Sequence, residues 1–297
     1  METVPYFGEV MALLTAAAWA IAVILFKKSG ETVHPLALNL FKNVLAVALF
    51  VPTIYIMGRT LFYSASHYDY ILLLISGGLG IGISDSLFLA CLNRIGAGLT
   101  AIVDCLYSPF VIGLSILWLA ESLSVWQVVG VVMIISAVMT ITSRKGSEKI
   151  SRIDLTWGLI YGVLAMVTTA VGIVMIKPML SHSPLLWATE VRLVGGIIVL
   201  VLILTFHPAR RKILGTLMIG RGWGYTFFGS FIGAYLAMML WLGGMKYTQA
   251  SIAAALNQLS NIFIFIFAFL LLKEPINFQR TLGIILGVAG SLLVMFA

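Results

Sequence analysis

Apolar residues come in long unbroken runs along this chain, without the alternation that marks a half-buried strand. About 20 consecutive apolar residues carry a helix across the hydrocarbon core of a membrane. Ten runs approach that length, at 6–26, 35–57, 69–92, 97–119, 125–142, 156–177, 184–206, 223–245, 249–271 and 278–296. Backbone groups cannot go unpaired in lipid, so continuous runs predict an all-α membrane protein of ten transmembrane helices. One clearly hydrophilic linker, SRKGSEKISRID at 143–154, separates residues 1–142 from 155–297, with five runs on each side.

The two halves repeat one another. LNRIGAGLTAIVDCLYSPFVIGLSILWLAE, residues 92–121, returns 153 residues later as MKYTQASIAAALNQLSNIFIFIFAFLLLKE, residues 245–274. Ala97 falls on Ala250, Ala101 on Ala254, Leu106 on Leu259, Phe110 on Phe263 and Glu121 on Glu274. Gly80 and Gly233, and Gly130 and Gly283, keep the same offset, while near the start of each half it is closer to 150. An odd number of crossings per copy inserts the second copy upside down. That is the inverted-repeat plan of secondary transporters, whose substrate site lies near the midplane between the halves. Small residues, GGLGIG at 77–82 above all, read first as close helix packing. Four glycines in six residues would also soften span three at a gate.

Composition removes the soluble classes. The 297 residues are 61% hydrophobic and 10% charged, with a mean hydropathy of +1.09, against about 25% charge in ordinary globular chains. The net charge of +7 does not point to nucleic acid, because basic residues sit in short loops as membrane topology requires. Cys91 and Cys105 fall inside spans and read as small packing residues. His34, His67, His182 and His207 are scattered near span ends, so no metal constellation is expected. Without a phosphate loop or ATP-binding motif no cofactor is expected either, and any energy for transport comes from gradients.

Ionisable residues inside a span are costly and mark function by default. Asp85 and Asp104 flank the turn at Arg94 by nine and ten residues, which at 1.5 Å per residue puts both roughly 14 Å from one membrane face. Lys42 enters from the same face, so a buried cluster of three charges is expected. In it Asp104 or Asp85 binds a proton or a cationic group, and Lys42 tunes the acid. The alternative is a salt bridge holding span two to spans three and four. Asp104 aligns with Asn257 and Asp85 with Met238, so the acids belong to the first half alone. Thr100, Asp104 and Ser108 nevertheless follow one helical face, and Ala253, Asn257 and Asn261 follow its copy. Such a doubled polar stripe predicts a wet cavity between spans four and nine. Glu190 and Arg192 in span seven point apart, and Arg192, which matches Lys42 after a one-residue shift, is expected to serve structure, with substrate contact as the alternative. Glu121 and Glu274 are expected to cap the spans that follow them.

AAAWAIAVILFKK in span one and LLLKEPINFQRTLGIILGVAGSLL at the end resemble the EamA family of the drug/metabolite transporter superfamily. The glutamate-then-glycine endings, Glu121 with Gly130 and Glu274 with Gly283, carry the resemblance most specifically. It implies ten helices in a basket, a central cavity lined by spans 1, 3, 4, 6, 8 and 9, and spans 5 and 10 at the periphery. Family cargoes range over amino acids, other metabolites, nucleotide sugars and drugs. Trp19, within the family-like AAAWA, would stack on an aromatic or cationic substrate, or simply pack.

The expected function is therefore secondary transport of a small polar or amphipathic metabolite, more readily export, at the cell membrane. Protons are the expected coupling ion, and the protein is a monomer or homodimer. An intramembrane aspartyl protease using Asp85 and Asp104 is the enzyme alternative. It fits poorly, because Ser84 breaks the motif, Asp104 lacks a preceding tyrosine and duplication has no role in that chemistry. A passive channel lacks charged rings and a filter sequence. Lys and Arg crowd the loops opposite the termini, which places both termini outside, whereas the family resemblance implies that they are cytoplasmic.

Overall fold

The computed structural model describes residues 6–58, 60–61, 63–119, 124–142, 150–180, 183–218, 222–247 and 256–296. Among them 87% are helical and none is in a strand. The long helices are α1 Phe7–Ser29, α2 Pro35–Ile56, α3 His67–Ile95, α4 Ala97–Trp118 and α5 Val125–Thr142. The second half contributes α6 Arg152–Val174, α7 Leu185–Phe206, α8 Trp223–Gly244, α9 Leu256–Leu272 and α10 Phe278–Phe296. Seven of them are long and apolar enough to cross a membrane. Over their described residues α5, α9 and α10 are apolar but shorter. The outer surface carries bare apolar side chains, such as Ile56 at 86%, Phe206 at 82% and Leu117 at 77% exposure. A belt of that kind fits lipid and not water.

Helix starts follow local chemistry. The Ser66 hydroxyl accepts from Asp69 N (3.1 Å) while the Asp69 carboxylate accepts from Ser66 N (3.2 Å). This capping box starts α3 at His67, two residues before the apolar run suggests. Ser151 accepts from Asp154 N (3.0 Å) and starts α6 at Arg152 in the same way. Pro35 opens α2 at a position where its missing N–H costs nothing.

The repeat is visible in the irregularities more than in the regular turns. α3 is interrupted by a π-helical stretch over Gly78–Ile83, and α8 by one over Phe231–Leu236, 153 residues on. The glycine-rich segment of span three is thus a local widening of the helix. α4 breaks after Asp104, where Leu106 N donates to Val103 O (3.0 Å), and α9 breaks where Leu259 N donates to Leu256 O (3.1 Å). These are the same bond at the same offset. In α4 the cause is in the sequence. Pro109 cannot donate, and its ring crowds the carbonyl four residues back. α9 has Ile262 in that place and breaks all the same.

Packing is paired across the halves. α1 lies against α8 and α9, and α6 lies against α3 and α4. α2 packs on α7, and α4 on α9, while α5 and α10 pack chiefly on each other. Close approach depends on glycine where α3 meets α7. A Cβ at Gly77 would stand 1.9 Å from the Arg192 carbonyl, and one at Gly195 would stand 2.2 Å from that of Leu74.

Glu274 does not cap its own helix. Asn277 does so, accepting from Arg280 N (2.9 Å). The Glu274 carboxylate instead accepts from Ala97 N (2.7 Å) and Gly98 N (3.1 Å), so it holds the N-terminus of α4 in the other half. Arg280 stands 3.6 Å away and shares its charge. Glu121 and Ala253 lie outside the described residues.

Candidate functional site

The expected three-charge cluster divides into two. Lys42 of α2 pairs with Asp85 of α3, and the lysine side chain is 7% exposed against 28% for the aspartate. Asp104 belongs elsewhere, at the break in α4, where its neighbour is Asn261 of α9. The reason is that the π-stretch and the Asp104 break re-aim the helices, so equal depth does not mean contact. Two aspartates with separate partners also do not form the proton-sharing dyad that the protease reading needs.

Around the Lys42–Asp85 pair runs a polar seam that the hydrophobic pattern does not reveal. The π-stretch leaves carbonyls short of their helical donors. Asn39 Nδ2 supplies them, donating towards Ile81 O (2.9 Å), Gly82 O (3.1 Å) and Ser86 Oγ (3.0 Å). Asn43 Nδ2 donates to Asn39 Oδ1 (2.9 Å), completing the line. The signal was present in LNLFKN, where Asn39, Lys42 and Asn43 share one helical face. On the other flank of α3, Ser84 donates to Ala165 O (2.7 Å) and Ser76 to Gly172 O (2.5 Å), which ties α3 to α6.

The second group surrounds the paired breaks of α4 and α9. Asn261 is fully buried. Its Nδ2 faces Cys105 Sγ at 3.6 Å, while its Oδ1 and that of Asn257 have no hydrogen-bond partner. Tyr107, the first residue after the break, lies within electrostatic range of both Asp104 and Arg192. Arg192 reaches in from α7, with an Nη 3.3 Å from where a Gly80 Cβ would stand. Its Nε is buried and unpartnered. Asp85 lies within range of the same guanidinium, which links the two groups. Glu190, two residues away, keeps a buried oxygen with no donor.

The remaining expected residues are placed as follows. Thr100 is 2% exposed, and its hydroxyl donates to Gly96 O (2.6 Å) beside Cys91, which is a packing environment. Ser108 is nearly buried and lies beyond the break. Thr100, Asp104 and Ser108 therefore do not form one continuous face. Trp19 is partly buried and packs on Phe88, with ring centroids 6.3 Å apart. Among the described residues no three of His, Cys, Asp and Glu come together as a metal site would require.

A cavity of about 600 Å³ opens at the end where α1 runs into α2. Leu36, Leu87 and Ala90 form its apolar wall, and His34, Arg94 and Asp154 stand among its polar residues. It reaches down α3 to Ser86, one end of the Asn39 seam. Across it Arg94 pairs with Asp154 at 2.6 Å and lies over the Tyr161 ring.

Comparison with known proteins accords with this architecture. Residues 6–143 and 156–296 each match the model of the EamA-like transporter family. A search of curated proteins gave no significant match. A solved structure, titled only as the crystal structure of a protein, superposes with a TM-score of 0.58. The two are 14% identical over 96% of this chain and 95% of that one, so the likeness concerns the fold alone.

Proposed function

The chain belongs to the EamA-like transporter family, and from that premise we propose that it is a secondary active transporter working by alternating access. Its cargo is a small polar or amphipathic metabolite, moved outward across the cell membrane and exchanged for protons. The ten apolar helices are read as spans, with residues 1–142 and 155–297 as two five-helix repeats of opposite orientation. It acts as a monomer or homodimer. The loops carrying Lys27, Lys28, Arg94 and Arg152 face the cytoplasm, which a reporter fused at Ala297 and scored as cytoplasmic would overturn.

One observation carries the reading. Discontinuous helices near the midplane are where secondary transporters build their sites, and α4 and α9 break at equivalent residues. The chemistry at the two breaks differs. Asp104 stands in α4 where α9 has Asn257, so a proton can be taken up on one side of an otherwise doubled structure. The Asn257 and Asn261 oxygens that lack donors suit a polar cargo.

Flux into proteoliposomes, measured with and without a pH gradient, tests this. A gradient should drive accumulation of a transported metabolite, and Asp104→Asn should uncouple it. Unchanged transport with an unchanged pH response in that variant would remove the proton role.

A further inference from the structure

We propose that Arg192 is an oxyanion-binding residue of the transport cavity, and that the cargo therefore carries a carboxylate or a phosphate group. The proposal rests on the transporter reading above and names the chemistry of its cargo.

α2 and α7 are both 22 residues long and match at an offset of 150, which places Arg192 on Lys42. Lys42 has its acid in Asp85. At the later offset Asp85 corresponds to Met238, so the second half keeps the cation and has lost its counter-ion. Asp85 itself is engaged by Lys42, and among the described residues Arg192 makes no salt bridge, with Asp85 within electrostatic range only.

A guanidinium in the interior of a membrane protein, whose acid within range is already paired with a lysine, is costly unless something else pairs with it. Packing alone does not explain this one. Leucine or methionine would fill the space without a buried N–H that lacks an acceptor. The backbone of Arg192 lies against Gly77, and its guanidinium points past Gly80 towards Tyr107. Gly80 is the residue of α3 where α6 and α7 converge, and its missing side chain leaves the guanidinium room. The planar fork of arginine matches two oxygens of a carboxylate or phosphate at once. The Tyr107 hydroxyl offers a further donor on one side. Asp104 and Asn261 stand beyond it, available to the rest of the cargo.

The test uses the full-length protein in detergent and chemically matched probes. Leucine and phenylalanine are each compared with their carboxamides, and glycerol 3-phosphate with glycerol. The readout is the thermal unfolding midpoint as a function of probe concentration. At least one oxyanion probe should raise the midpoint, while its neutral twin should not. The carboxylate and phosphate arms decide which group is recognised. Arg192→Gln should weaken that probe by about 10- to 100-fold, the loss of a charge-assisted bidentate contact. Arg192→Lys should retain part of the affinity and guards against a folding artefact. Equal stabilisation by both twins, undiminished affinity in Arg192→Gln, or no response to any oxyanion probe overturns the proposal. Counterflow in proteoliposomes separates the two readings. An oxyanion probe that binds through Arg192 without flux refutes transport and leaves the site intact. Flux of a neutral cargo that is indifferent to Arg192→Gln does the reverse.

Discussion

Removal of the Glu274 carboxylate tests whether the two halves are locked together at the start of α4. The acid accepts two backbone N–H groups, from Ala97 at 2.7 Å and Gly98 at 3.1 Å, and its side chain is 16% exposed. Hydrogen bonds to a charged group contribute about 1.5–3 kcal/mol each when little water competes. A negative charge at a helix N-terminus adds roughly 0.3–1 kcal/mol. In Glu274→Ala both amides lose their acceptor, and Arg280, 5% exposed, loses one of its partners. Arg280 still donates to Pro275 O at 3.1 Å, which limits the loss. At the low end of these ranges a loss of about 3–4 kcal/mol is expected, and about half of that for Glu274→Gln, which keeps an oxygen for one amide. Unfolding of the purified protein by SDS titration in mild detergent measures both variants. A Glu274→Ala protein within about 0.5 kcal/mol of the parent would mean that the contact across the halves contributes nothing. Equal losses in Gln and Ala would show that charge alone matters and that the two-amide geometry does not.

Three further outcomes follow from the same kind of reasoning. Lys42→Met strands the Asp85 charge and should destabilise by about 3 kcal/mol, the low end for a buried pair because Asp85 is 28% exposed. Lys42→Met with Asp85→Leu should return to within about 1 kcal/mol of the parent, and the same unfolding titration reads both. Gly195→Ala drives a methyl to 2.2 Å from a carbonyl of α3 and should cost about 1–3 kcal/mol, whereas Gly113→Ala meets nothing within 4 Å and should be neutral or slightly stabilising. Burial, and then the nearby His207, hold the His34 imidazole below its ordinary value of 6.5. The unfolded chain therefore takes up that proton first, and stability should fall as pH drops from above about 6.5 through the lower folded value. His34→Asn keeps an acceptor for the start of α2 and should flatten thermal midpoints recorded between about pH 5 and 8.

The regular part of the fold could be read from the chain because hydrophobic length is a one-dimensional property. Seven of the runs appear as helices long and apolar enough to cross a membrane, and those at 69–92 and 156–177 start two and four residues early, where Ser66 and Ser151 begin them. Contacts between helices were harder. Placing Asp85 and Asp104 at equal depth assumed straight helices, and the π-stretch at Gly78–Ile83 and the break after Asp104 both violate that. Pro109 was visible as a cause of the second, but nothing in SNIFIF announces the matching break at Leu259. Along the chain the nearest helix start to Glu274 is that of α10. Its real partner lies more than 170 residues away, and only the presence of Asn277 as a competing cap hints at it. Asn39 does not stand out in the sequence, because one amide in an apolar run looks incidental until the carbonyls that it satisfies are known.

The division between what is repeated and what is not bears on mechanism. The π-stretches and the breaks recur at one offset although the sequences at those places differ: GLGIGI against FIGAYL, and a proline against an isoleucine. Sequence drift that preserves geometry indicates that the geometry is what is used. A helix that is wide or broken has spare backbone groups and low resistance to bending, which suits the alternating access proposed above. The charges behave in the opposite way. Lys42 and Arg192 share a position but differ in their partners, and Asp104 faces an asparagine copy. A cargo has no two-fold axis, so a site made of two equal halves would hold its two ends equally badly. In the proposed transporter unequal charges on an equal frame resolve that conflict, with the frame supplying the motion and the differences supplying recognition. Exchanging the two positions by Lys42→Arg with Arg192→Lys conserves every charge. It should leave folding intact and weaken oxyanion binding, because the fork geometry would then sit beside Asp85 and away from the cargo.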